Sequence, residues 1–250
     1  FSYFVPDVAY HLAKFERGFT KAVNIQGSDH HGTIARVRCG LQCCALARQM
    51  SIPKEFPEYI LHKMLSVVKD GEPVKMSKRS GNYVTLRDLV DMAGQDAARF
   101  FLVARKADAE FVFDINLAQQ KSDENPVYYL QYAHARICSV LKKLEAAGVT
   151  FEGADALDAS LLTDPSEQAL LRLLSAFPAE IAAAAEKYDP ARITRYVIDI
   201  ATAFHRFYNA CRILEADPAV RQCRMALCLA VRSVIRNVLT MFKVTVPESM

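Results

Sequence analysis

The chain has 250 residues, 52% of them apolar, with a mean hydropathy of +0.05 and a formal charge of +3. Such a composition fits a globular protein and excludes a disordered or fibrous chain, while the charge is too small to mark a nucleic-acid binder by itself. Two domains are expected.

Seven cysteines, an odd number, fall mostly inside apolar helical patterns and read as small buried hydrophobes in a reducing compartment. Neither Cys39-x3-Cys43 nor Cys223-x4-Cys228 has partners at zinc spacing, so no metal site is expected. No run is long and apolar enough to span a membrane, and no signal peptide opens the sequence. These features lead to the expectation of a cytoplasmic protein. Phe1 stands directly before a motif-like segment, so the chain is expected to be truncated.

An aromatic start turns at Pro6-Asp7 into a helix running to about Arg17, with Asp7 suited to the N-cap. Ala22 to Gln26 alternates as a strand and stops at Gly27; Ser28-Asp29-His30-His31-Gly32 then opens a helix reaching Arg48. Strand, glycine, polar cluster and helix start are the parts that place ligand groups at the carboxyl edge of a parallel sheet. Asp29 could equally be a helix cap. Tyr59 to Val68 is a further apolar, strand-like segment, and Asp70-Gly71 is a hairpin turn.

After that turn come Lys75-Met76-Ser77-Lys78-Arg79, lying between Gly71 and Gly81. Two lysines flanked by glycines make a cationic loop suited to closing on phosphate. Thr85 and Asp88 begin a short helix that Gly94 ends, and Gln95-Asp96 begins another. Phe111 to Phe113 is briefly extended. Asn125-Pro126 is a strong helix start, and from there four apolar helical stripes follow with no strand between them. Residues 122–250 therefore read as an α-helical bundle, with Pro178 threatening a kink.

Charge is polarised along the bundle. Glu145 to Asp189 holds nine acids and two bases; Arg192 to Met250 holds nine bases and four acids. The pattern predicts that the last helices, and not the whole surface, meet a polyanion.

Several motifs in one order resemble bacterial arginyl-tRNA synthetase, a class I aminoacyl-tRNA synthetase. They are Tyr3-x-x-x-Asp7-Val-Ala-Tyr-His11, Gly27-Ser-Asp-His-His-Gly32, the Lys75-Met-Ser-Lys78 loop, Asp96-Ala-Ala-Arg-Phe100 and Asn125-Pro-Val-Tyr-Tyr-Leu-Gln-Tyr-Ala-His-Ala-Arg136. Ala203 to Arg212 and the ending Val246-Pro-Glu-Ser-Met250 are similar as well. Ser28 and Ser80 stand where the pattern has alanine, and the His-Ile-Gly-His-type motif of the family is not in this sequence. The resemblance implies an α/β class I synthetase Rossmann-like second half over residues 1–121, followed by an all-α anticodon-binding domain of the DALR type over 122–250.

It also implies an arginine–tRNA ligase that uses ATP, with Mg²⁺ accompanying the nucleotide, to make arginyl-adenylate and pass arginine to the terminal ribose of tRNA. Lys78, supported by Lys75, would hold the departing phosphates. Gly27, Asp29, Met76 and Ser77 would complete the ATP contacts. Tyr3, Asp7 and His30 would face arginine, Asp7 because a guanidinium needs a carboxylate that accepts a forked pair of bonds. Anticodon contacts would come from Tyr128, Tyr132, Arg195, Arg206, Tyr208 and Met250. Partners would be arginine-accepting tRNA, arginine and ATP, with no membrane, and the protein a monomer. The alternatives are a free-standing tRNA-binding module without catalysis and another class I synthetase of the cysteinyl type.

Overall fold

A computed structural model describes residues 3–74, 84–155 and 157–250. Two compact units form: one from Phe1–Ser66 with Lys106–Val112, the other from Val67–Arg105 with Phe113–Met250.

In the first unit, α1 (Phe4–Glu16) and α2 (His31–Ala47) pack through Val8, Leu12, Val37, Leu41 and Ala45, with Ile52 and Phe56 closing the cluster. These positions recur every third or fourth residue, so one stripe of each helix is buried. The helices approach closely at Gly40, where a Cβ would lie 2.8 Å from a Val8 methyl. Strands β1 (Val23–Gly27) and β2 (Glu58–His62) pair in parallel from Val23↔Glu58 to Gly27↔His62. Arg38 donates to the carbonyls of Glu55 and Pro57, fixing the turn that leads into β2.

Two sequence expectations change here. Helix α1 starts at Phe4 with Tyr3 at its N-cap, so Asp7 caps nothing; its backbone N–H donates to the Tyr3 carbonyl at 3.1 Å. Pro6 fits inside the first turn because those N–H groups have no helical partner, and Asp7 is favoured there by the positive end of the helix dipole. The apolar segment Tyr59 to Val68 is not one strand. It divides into β2 and β3 (Leu65–Lys69), which belong to different sheets.

In the second unit, β3 turns through Asp70 and Gly71, both at positive φ, into β4 (Glu72–Pro73). Asp70 exchanges two hydrogen bonds with the Asn116 side chain, which holds the turn in place. On the other side of β3 lies β5 (Phe111–Asp114). Thr85 and Asp88 form a reciprocal capping box at the start of α3 (Leu86–Ala93). Gly94, at φ 83°, joins α3 to α4 (Gln95–Val103). Asp114 caps α5 (Ile115–Gln119).

Four long helices follow, each with proline in its first turn: α6 (Pro126–Ala146), α7 (Pro165–Glu186), α8 (Pro190–Ala210) and α9 (Pro218–Met241). Buried Leu130, Ile137, Ile200, Phe204, Phe207, Val231 and Ile235 build their common core. Helix α7 continues through Pro178, which is exposed. Between α7 and α9, the carboxylate of fully buried Glu167 accepts from Arg224 Nε at 2.6 Å and, through its other oxygen, from the Asp164 backbone at 3.0 Å.

The carboxyl-terminal tail is clipped to α4 and α6. Asp96 accepts from the Thr245 backbone at 3.0 Å and from the Thr245 hydroxyl, and Gln131 Nε2 donates to both Asp96 and Thr245. His134, buried on α6, donates from Nδ1 to the Pro247 carbonyl at 2.9 Å, and its Nε2 has no partner. Burial holds its pKa below the usual value; Arg232 and Arg236 act the same way, while the Pro247 bond and Glu248 oppose them. A folded pKa below the unfolded one gives stability that is present above about pH 6.5 and lost as pH falls through the folded value. Melting temperature should therefore drop on acidification, and His134→Gln should shrink the drop. A pH slope identical in the variant and the parent would contradict this role.

Candidate substrate edge and nucleic-acid surface

The parallel pairing of β1 and β2 brings their carboxyl ends, Gly27 and His62, side by side. The chain leaves Gly27 through a single 3₁₀ turn, Ser28–His30, directly into α2. A Cβ on Gly27 would lie 2.5 Å from Asp29 Oδ1, so glycine there lets the Asp29 carboxylate fold back over the strand end. No side chain caps α2; its first N–H, that of His31, donates to the Ser28 carbonyl of the 3₁₀ turn. Asp29 and His30 are both exposed, 3.8 Å apart. Asp29 thus is not the cap that its position permits.

Asp7 is half-buried on α1, one turn before buried His11. The Asn24 amide donates to His11 Nε2 at 3.1 Å, and Asn24 also bonds the Tyr59 hydroxyl, its register partner on β2. Burial raises the Tyr59 pKa; the Asn24 bond and Arg38 lower it, and Asp7 raises it. Burial lowers the His11 pKa, aided by Lys14 and opposed by Asp7. Asp7, His11, Asn24 and Tyr59 therefore share one electrostatic neighbourhood, and on the Asn24 side of β1 the buried Gln26 Oε1 lacks a partner. Sequence reasoning missed these neighbours, although the two-residue period of β1 puts Asn24 and Gln26 on one face. Tyr3, by contrast, is 90% exposed, and no hydrogen bond or ion pair joins the side chains of Tyr3, Asp7 and His30 among the described residues. Lys75, Met76, Ser77 and Lys78 lie outside the described residues.

On the bundle, α6 and α8 form a row of half-buried rings. Tyr128 and Tyr132 stack at 6.3 Å and 5°, and Tyr132 stacks on His205 at 6.0 Å. Tyr129 meets His205 at 5.1 Å and donates its hydroxyl to Thr202. Arg136, one turn beyond Tyr132, lies 4.5 Å over the Tyr208 ring and donates to the Tyr132 hydroxyl at 3.2 Å. Burial holds the His205 pKa down, with Arg136 adding to the effect and Asp123 opposing it. Next to Tyr208 a 410 Å³ cleft is lined by Arg136, Lys143, Asn209 and Arg212 above apolar Leu144 and Ile213. Fixed aromatic faces beside guanidinium groups are suited to unpaired bases and their phosphates.

Arg195 and Arg206 do not join this cluster. Eleven residues apart, they share one exposed face of α8, roughly 200° around the helix from Tyr208. Arg195 is turned toward Asp189 at 4.0 Å. The cations beside the rings are instead Arg136, Lys143 and Arg212. Folding brings part of the acidic stretch onto the basic one: Glu180 pairs with Arg192 and Glu167 with Arg224. Met250 is 57% exposed at the end of the clipped tail.

Comparison with known proteins agrees with both halves. Residues 10–116 match the model for class I tRNA synthetases (I, L, M and V), and residues 130–250 match the DALR anticodon binding domain. The arginine–tRNA ligase of Bordetella pertussis is 53% identical over all of this chain, which spans 43% of that protein. That of Methylibium petroleiphilum is 54% identical, again over the whole chain, which spans 44% of it. A Campylobacter jejuni structure assigned as an arginyl-tRNA synthetase superposes with a TM-score of 0.85 at 32% identity, covering 100% of this chain and 52% of that one. This chain thus spans about half the length of the relatives it matches. Built as a class I synthetase segment followed by an all-helical DALR domain, the chain is similar along its whole length to the arginyl-tRNA synthetases of class I.

Proposed function

We propose that the chain serves an arginine–tRNA ligase, the bundle gripping the anticodon loop of an arginine-accepting tRNA and the sheet edge contributing to arginine and ATP binding. The observation that carries this reading is the ring row of α6 and α8 with Arg136 over Tyr208; Tyr132, Arg136, His205 and Tyr208 lie within the DALR-matching residues, and Tyr128 and Tyr129 just before them. Tyr128, Tyr132, Tyr208 and Met250 are its base contacts, joined by Arg136. Arg195 and Arg206 give outlying phosphate contacts. Asp7 takes the guanidinium, with Tyr3 and His30 toward the rest of the amino acid; Gly27 and Asp29 lie by the nucleotide. Lys78, with Lys75, Met76 and Ser77, holds the phosphates. Mg²⁺ would accompany the nucleotide; arginine's carboxylate attacks the α-phosphorus of ATP, forming the acyl-phosphate bond as the bond to pyrophosphate breaks and pyrophosphate leaves. Residues 1–121 act as the catalytic part and 122–250 as the tRNA-reading part of a cytoplasmic monomer.

The test is arginine-dependent pyrophosphate exchange in a longer protein carrying this segment. Asp7→Asn keeps size and removes the charge facing the guanidinium. Losing one charge-assisted bond pair there should weaken arginine binding by about 1.5–3 kcal/mol, with ATP binding almost unchanged. Normal arginine affinity with a lowered melting temperature would make Asp7 a purely structural residue.

A further inference from the structure

A second cleft opens at the Tyr128 end of the ring row. It has a volume of about 560 Å³, bounded by the start of α4, the segment after α5, the first turns of α6 and the tail, and Tyr128, Gln95, Gln131, Lys121 and Thr245 line it. We propose that this cleft takes one unpaired nucleotide from the same RNA strand that meets Tyr208, the base lying against Tyr128 and its edge on the amides of Gln95 and Gln131. The proposal rests on the RNA-binding reading above and adds a subsite to it.

Four features carry it. Its volume falls within the range of sites for small organic ligands, about 300–1,000 Å³. The Tyr128 ring is fixed by its parallel stack on Tyr132, so a base placed on it continues the row and meets a preorganised face. The Gln131 amide has a settled orientation: Nε2 donates to the Asp96 carboxylate and to the Thr245 carbonyl, both acceptors only. Its Oε1 is therefore a fixed acceptor for a base N–H. Gln95 is exposed and Lys121 is exposed, and neither has a side-chain hydrogen bond or ion pair among the described residues, leaving a free amide and a free cation for the base edge and phosphate.

Asp96 also stands in the wall, and a bare carboxylate would repel phosphate. Here it accepts the Thr245 N–H, the Thr245 hydroxyl and the Gln131 amide, so its charge is already engaged by donors. The cleft therefore presents neutral amides and one ammonium to its occupant, which suits the edge and phosphate of one nucleotide better than a polyanionic duplex. Among the residues lining it Lys121 is the one cation, so base contacts supply most of the recognition.

The test uses the 250-residue chain and a hairpin RNA carrying the anticodon loop of an arginine-accepting tRNA, with 4-thiouridine placed at each loop position in turn. Crosslinks should map from one loop position to the peptide holding Tyr208 and from another to the peptide holding Tyr128 or Gln131. Gln95→Ala, a change at an exposed position, should weaken binding roughly threefold to tenfold, as one lost hydrogen bond does. Tyr128→Ala should weaken it roughly fivefold to a hundredfold. Crosslinks confined to the Tyr208 peptide, with Gln95→Ala binding at full strength, would overturn the subsite and leave the RNA-binding reading intact. Failure of the hairpin to bind, or indifference to Tyr208→Ala, would overturn that reading and the subsite with it.

Discussion

Glu167→Ala should destabilise the helical unit by about 3–5 kcal/mol, the cost of leaving a buried charge without its partner. Glu167 is fully buried and its two oxygens serve two helices: one accepts from Arg224 of α9, the other closes the capping box at the start of α7. Alanine removes both bonds and strands a guanidinium whose side chain is 17% exposed. For a unit of this size that loss corresponds to a melting shift of roughly 6–20 °C. The double replacement Glu167→Leu with Arg224→Met should recover much of the loss, because the penalty lies in the unpaired charge and not in the absence of the pair. Thermal denaturation of the three chains decides it. A single variant within about a degree of the parent would mean that water already reaches the pair.

In a longer protein carrying this segment, Lys78→Ala should slow arginyl-adenylate formation by roughly 100-fold to 1,000-fold, the scale of losing one donor aimed at developing charge. The ammonium's attraction grows as negative charge builds on the departing phosphates, so the loss should fall on turnover more than on arginine affinity. Single-turnover adenylate formation at saturating substrates is the measurement. An unchanged turnover with a raised arginine Michaelis constant would remove the phosphate-holding role from this loop.

Local signals with a single physical solution were legible in the sequence. Thr85 and Asp88 cap each other because the first N–H groups of a helix need acceptors, and Asn125-Pro126 starts α6 for the same reason. Gly94 and Gly71 mark the positive φ angles where chain direction changes. The apolar stripes of the bundle were likewise readable, since burial of one helix face is periodic. What escaped reading depends on partners far away in sequence. The start of α1 is one case: Asp7 is an acceptable cap by residue type, yet the preceding residues also accept helical geometry, and Phe4 reaches Gly40 on α2. Charge is another, because counting residues cannot show that Glu180 and Glu167 meet Arg192 and Arg224. Arg136 was visible as the fourth residue after Tyr132, but its place over Tyr208 needs α6 and α8 to pack side by side.

The central claim is that the ring row reads the anticodon loop of an arginine-accepting tRNA. The direct measurement is equilibrium binding of that tRNA and of an unrelated tRNA to the 250-residue chain and its Tyr208→Ala variant over a range of salt. The parent chain should prefer the arginine-accepting tRNA, and the variant should lose about 1–3 kcal/mol of that binding while its salt slope stays the same, because a stacked base and not a phosphate contact has gone. Equal affinity for both tRNAs, with binding indifferent to Tyr208, would contradict the account.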